Sequence, residues 1–163
     1  MTKKEEKTLL TKVLCEQLPY GVIVYGNYRY DDGDKIVDDE KVEVLNLSKL
    51  DWFFNGIEIK PYLRPLPSMT EDEALEIAKL LLSADKRQIL NVATDDKGIN
   101  IIVDDGVSST EGLFYYYDEI VKSLEIFDYL NAKHFDVRGI LPTGLGIAAI
   151  GNDNPYKEKG GEE

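Results

Sequence analysis

From Lys3 to Leu18 the apolar residues Leu9, Leu10, Val13, Leu14 and Leu18 recur with the period of a helix, which predicts an amphipathic helix over about Lys3–Gln17. Thr2 and Glu5 have capping-box spacing at its start, and Pro19 and Gly21 end it. The period then changes to two. Val22 and Val24 alternate with Ile23 and Tyr25, Tyr28 and Tyr30 continue the pattern, and Val42 and Val44 mark a further strand. Asp31-Asp32-Gly33-Asp34 is a turn signal between these strands. Asn55-Gly56 predicts a hairpin joining Trp52-Phe53-Phe54 to Ile57-Glu58-Ile59.

Farther along, Pro61, Pro65 and Pro67 argue against any regular strand or helix interior across Lys60–Ser68. A second capping box, Thr70 with Glu73, opens a helix carrying Ala74, Leu75, Ala78, Leu81 and Leu82 on one face. Gln88–Val92 and Ile99–Val103 predict a second hairpin around Asp95-Asp96-Lys97-Gly98, followed by a loop over Asp104–Gly112. A last helix is expected over about Asp118–Lys133, burying Ile120, Val121, Leu124, Phe127 and Leu130. The pattern specifies an α+β fold: a small curved antiparallel sheet or SH3-like barrel flanked by about three helices, with an extra hairpin. Residues 1–150 read as a single domain, and 151–163 as a disordered acidic tail.

With 163 residues and 43% apolar content, the chain can bury a core without disulfides or metal staples. A formal net charge of −12 argues against direct nucleic-acid binding and against anionic membranes. Cys15 is the only cysteine, so no intrachain disulfide forms, and as a free thiol beside the first helix's stripe it reads as a small hydrophobe. The polar first residues lack a signal-peptide core, and no apolar run reaches membrane-spanning length, so a cytoplasmic location is expected.

Candidate chemistry is sparse. His134 is the only histidine, and with Asp136 and Arg138 it could supply a general base and its orienting groups. The same three residues could instead cap the end of the last helix through backbone hydrogen bonds. The run Asp31–Glu43 is rich in acids, among them Asp31, Asp32, Asp34, Asp38, Asp39 and Glu40, but it fails the calcium-loop spacing and reads as solvated turns. No metal or cofactor site is expected. Phe114 followed by Tyr115, Tyr116 and Tyr117 is the least ordinary local composition, because consecutive rings cannot all enter one core.

Three blocks carry a resemblance: Leu14-Cys15 through Leu18-Pro19-Tyr20-Gly21-Val22, then Ile59–Leu66 running into Ser68-Met69-Thr70-Glu71, and Tyr129–Ile140 with Gly144-Leu145. In this order the chain resembles a family of small proteins carried by phages, prophages and mobile elements of Bacteroides-type gut bacteria. That family has a second histidine where Lys133 stands, often a tryptophan where Tyr129 stands, and nothing matching about Asp85–Tyr117. The resemblance implies a genetic setting and no activity. The function expected is that of a non-enzymatic accessory protein that binds a protein partner through an acidic surface, by nucleic-acid mimicry in one version. Partner contacts would fall on Tyr115–Tyr117 and on Asp31, Asp32, Asp34, Asp38, Asp39 and Glu40. The alternatives are a small enzyme or nucleotide-processing protein using His134, Asp136 and Arg138, and a minor virion protein.

Overall fold

The computed structural model describes residues 1–31, 36–82, 88–104 and 110–157, with the backbone alone at 29–31, 36–38, 110 and 153. The chain divides into two compact units: Met1–Arg64 with Arg138–Glu163, and the inserted Pro65–Val137. Reading 1–150 as one domain did not anticipate this division. The fold is α+β, with five α-helices and two sheets among the described residues. Neither sheet closes into a barrel.

The split unit begins with helix α1 (Lys3–Gln17), whose capping box forms in both directions between Thr2 and Glu5. Strands β1 (Ile23–Asp31) and β2 (Ile36–Val44) pair antiparallel on either side of the expected Asp32–Asp34 turn, which lies outside the described residues. Helix α2 (Leu47–Phe54) and strand β3 (Glu58–Leu63) follow. Here Trp52-Phe53-Phe54 departs from the expected hairpin strand. Asn46 caps the helix by accepting from the Lys49 N–H, and Leu50 and Phe53 present one buried face. Asn55-Gly56 therefore ends a helix, with Gly56 at φ +98°. Its tolerance of unusual dihedrals suits a helix end as well as a hairpin turn.

Pro61 corrects a second expectation, since it lies buried inside β3. Its partner is Val24, and one step along the ladder the Ile23 N–H and the Tyr62 carbonyl face each other through the Tyr156 hydroxyl. Facing groups alternate along an antiparallel pair, so the Pro61 nitrogen points away from β1. On that other side the short strand β7 reaches only Tyr62 and Leu63, so the missing N–H costs no ladder bond.

The inserted unit contains helix α3 (Glu71–Leu81), the antiparallel strands β4 (Gln88–Thr94), β5 (Gly98–Asp104) and β6 (Thr110–Tyr116), and helices α4 (Tyr117–Ile120) and α5 (Leu124–Ala132). Strand β7 (Ile147–Ala148) returns the chain to the split unit, giving sheet orders β2-β1-β3-β7 and β4-β5-β6. Thr70 and Glu73 form the second capping box as expected. The last helix is broken at Val121–Ser123, and Leu124, expected in the core, is 74% exposed while Ile126 is buried. Much of Asp104–Gly112, read as a loop, lies in β5 and β6 or falls on 105–109, outside the described residues.

Each unit has its own core. In the split unit Leu14, Val22, Val24, Ile59 and Leu63 pack with Ile140, and in the inserted unit Ile77, Ile99, Ile101 and Val103 pack with Leu130 and Phe135. The chain beyond residue 150 is anchored rather than loose as far as Lys157. Gly151–Asp153 make a 3-10 turn, and the Tyr156 hydroxyl accepts from the Ile23 N–H at 2.9 Å and donates to the Tyr62 carbonyl at 2.8 Å. Burial pushes that hydroxyl's pKa well above the usual tyrosine range. Residues 158–163 lie outside the described residues.

Candidate functional site

Around His134 the backbone explains the sequence. Helix α5 ends on Lys133, the next residue His134 is left-handed at φ +59°, and two hydrogen bonds follow. The His134 N–H donates to the Asn131 carbonyl and the Phe135 N–H to the Leu130 carbonyl, each at 2.9 Å. This is a Schellman ending with histidine where glycine is usual. The hydrophobic contact that accompanies it is supplied by Leu130 and Phe135, both fully buried.

Asp136 is buried in the same unit, whereas Arg138 belongs to the other. The Arg138 guanidinium donates through Nε to Glu16 Oε2 at 2.9 Å and through Nη2 to Oε1 at 2.6 Å. This two-pronged bond to α1 raises the arginine's pKa. Geometry thus gives His134 the task of stopping a helix and Arg138 that of tying the returning chain to α1.

The acidic run divides in two. Side chains alternate across β2, so Asp39 and Glu43 lie on one side of the sheet and Glu40 on the other. Lys41 pairs with Asp39 at 2.7 Å, Lys49 pairs with Glu43 at 2.6 Å, and Glu40 bonds the Tyr25 hydroxyl, pushing its pKa up to about 12. The described part of the run is therefore split between two faces and largely paired. The side chains of Asp31, Asp32, Asp34 and Asp38 lie outside the described residues. Among the described residues no three His, Cys, Asp or Glu side chains are grouped so as to hold a metal ion. Cys15, expected to pack as a small hydrophobe, is exposed.

The aromatic run separates by strand parity. Leu113 and Tyr115 turn toward the inserted unit's core, while Phe114 and Tyr116 are 41% and 50% exposed on the opposite face of β6. Tyr117 begins α4, is buried, and donates its hydroxyl to the Asp95 carbonyl at 3.2 Å. Its pKa rises to about 12, chiefly through burial and then through Asp95 and Asp96. The outward rings of Phe114 and Tyr116 meet edge to face, with centroids 5.0 Å apart. Neighbouring positions on that open face are Asn91, Ala93, Asn100, Ile102 and Gly112, all uncharged, with Asp104 at the far end. An exposed aromatic pair on a nearly charge-free face departs from the character of a chain with net charge −12. Two of the three tyrosines singled out by composition, Tyr115 and Tyr117, thus face inward, and Phe114 takes their place.

A cleft of about 250 Å³ lies between the start of α3 and β4, lined by Glu71, Asp72, Leu75, Ile89, Leu90, Asn91 and Val92. Its lining offers two carboxylates, Glu71 and Asp72, beside aliphatic side chains and one amide. No described helix is long and apolar enough to cross a membrane. No protein-family model, curated protein or solved structure matches the chain.

Proposed function

We propose that this protein works as a binding module, recognising another protein through the open face of the β4-β5-β6 sheet, with Phe114 and Tyr116 at the centre of the contact. The observation that carries this reading is the exposed, edge-to-face pair of rings on a nearly charge-free surface of an acidic chain. Protein interfaces concentrate aromatic side chains and exclude charge at their centres, and a few such rings supply most of the affinity. The partner would be a host or phage protein if the chain belongs to the mobile-element setting its sequence resembles. The surrounding acidity would then steer a basic partner toward the neutral centre. Nucleic-acid mimicry through the acidic run finds less support, because its described carboxylates are divided between two faces, with Asp39 and Glu43 paired to lysines and Glu40 bonded to Tyr25.

The test is affinity capture from nuclease-treated lysate with wild type and a Phe114→Ser/Tyr116→Ser variant. Both side chains are exposed, so the variant should melt within about 0.5 kcal/mol of wild type. A stoichiometric partner held by wild type and lost by this folded variant supports the reading. Undiminished capture by the variant removes it.

A further inference from the structure

We infer that β6 is a pairing edge, and that its occupant is the β6 strand of a second copy of this chain, joined antiparallel about a two-fold axis through Leu113.

The two sheets have four edges, and natural proteins guard such edges with charge, short length or bulges. Three of the four are guarded here. β2 carries Asp38, Asp39, Glu40, Lys41 and Glu43, β7 is two residues long, and β4 is interrupted by a register shift between Ile89 and Asn91. β6 has none of these defences. Thr110-Glu111-Gly112-Leu113-Phe114-Tyr115-Tyr116 is unbroken, contains one charge and no proline, and pairs with β5 residue for residue. Among the described residues no strand lies on its other side.

The direction of its backbone groups follows from one bond. The Tyr117 N–H donates to the Lys97 carbonyl at 3.0 Å, so the facing pairs on β6 continue at Tyr115, Leu113 and Glu111. Because facing groups alternate in an antiparallel ladder, Thr110, Gly112, Phe114 and Tyr116 direct their N–H and carbonyl groups to the open edge. Gly112, Phe114 and Tyr116 are themselves exposed.

The strand complements itself. A two-fold axis at Leu113 sets Gly112 of one copy opposite Phe114 of the other, and Thr110 opposite Tyr116. All four outward residues then find partners, and the Phe114 ring stands beside Gly112, which has no side chain to obstruct it. Charge selects the same approach. Two copies at −12 each repel over most of their surfaces, and a nearly neutral edge is where that repulsion is weakest. The pairing does not require the heterologous partner proposed above.

Sedimentation of wild type over a range of concentrations, beside Gly112→Pro and Phe114→Ser/Tyr116→Ser, tests this. Gly112 has an outward N–H and no positive φ, so proline there removes an edge donor and leaves the bonds to β5 in place. Wild type should double in mass as concentration rises, and Gly112→Pro should remain monomeric while still capturing the lysate partner. Should that variant fail to fold, deuterium exchange on wild type decides. The amides of Gly112, Phe114 and Tyr116 must exchange more slowly at high protein concentration than at low. A wild type that stays monomeric, a Gly112→Pro variant that still dimerises, or a dimer whose amides at these positions are unprotected would each overturn the inference.

Discussion

Two aromatic pairs, one in each unit, share almost the same geometry and have opposite surroundings. Tyr28 and Trp52 meet at 5.1 Å and 82°, and Phe114 and Tyr116 at 5.0 Å and 78°. In the split unit Lys41 stands 5.8 Å from the Tyr28 ring and Lys49 stands 5.9 Å from the Trp52 ring, and both lysines are held by carboxylates. The Tyr28 ring also lies across Gly26, where a side chain would meet its hydroxyl at 2.4 Å. Trp52 is 40% exposed, so what sets this pair apart is the two lysines and the glycine that its rings engage. Phe114 and Tyr116 also border a glycine, Gly98, yet among the described residues no cation stands over either ring, and both rings are partly open to solvent. Ring geometry alone therefore does not distinguish a scaffold from a contact surface; the company of the rings does.

The largest expected effect breaks the scaffold pair. Trp52→Ala removes the edge-to-face partner of Tyr28 and the ring beneath Lys49, and should cost about 2 kcal/mol in denaturant melts. Partner capture should be unchanged, because the open pair is untouched.

Alkaline titration sharpens the contrast within the aromatic run. Tyr117, turned inward, has its pKa raised from 10.0 to about 12. The folded state holds this proton more tightly than the unfolded chain does. Its contribution is thus complete below pH 10.0 and is lost as pH rises toward about 12. Thermal melts across that window should fall steeply for wild type and less steeply for Tyr117→Phe.

A smaller effect of opposite sign is expected at Tyr28, whose buried hydroxyl has no hydrogen-bond partner among the described residues. Tyr28→Phe should raise stability by about 1 kcal/mol, since an unsatisfied buried hydroxyl is removed and the ring remains. Smallest is His134→Gly, which relieves a left-handed residue at the end of α5 and should add about 0.5 kcal/mol. A loss of stability on that change would mean that the imidazole contributes more than the backbone position.

What could be read from the sequence was local. The capping boxes at Thr2–Glu5 and Thr70–Glu73 are visible because both partners lie within one turn. Asn55-Gly56 misled because the same dihedral freedom serves a hairpin and a helix end, and only the burial of Leu50 and Phe53 distinguishes them. Pro61 looked prohibitive because the direction of its nitrogen depends on pairings with Val24 and on where β7 begins. The division into two units rests on Tyr62↔Ile147, Leu63↔Ala148 and the Tyr156 clasp, contacts far apart in sequence. The binding candidates were half legible. Once Thr110–Tyr116 is known to be a strand, parity alone sends Phe114 and Tyr116 outward and Leu113 and Tyr115 inward.

The most direct test of the contrast between the two pairs is hydroxyl-radical footprinting of the chain, free and bound to its captured partner. The account predicts that Phe114 and Tyr116 lose reactivity on binding while Tyr28 and Trp52 keep theirs. Protection at Trp52, or along Asp39–Glu43, with Phe114 and Tyr116 unchanged would contradict it.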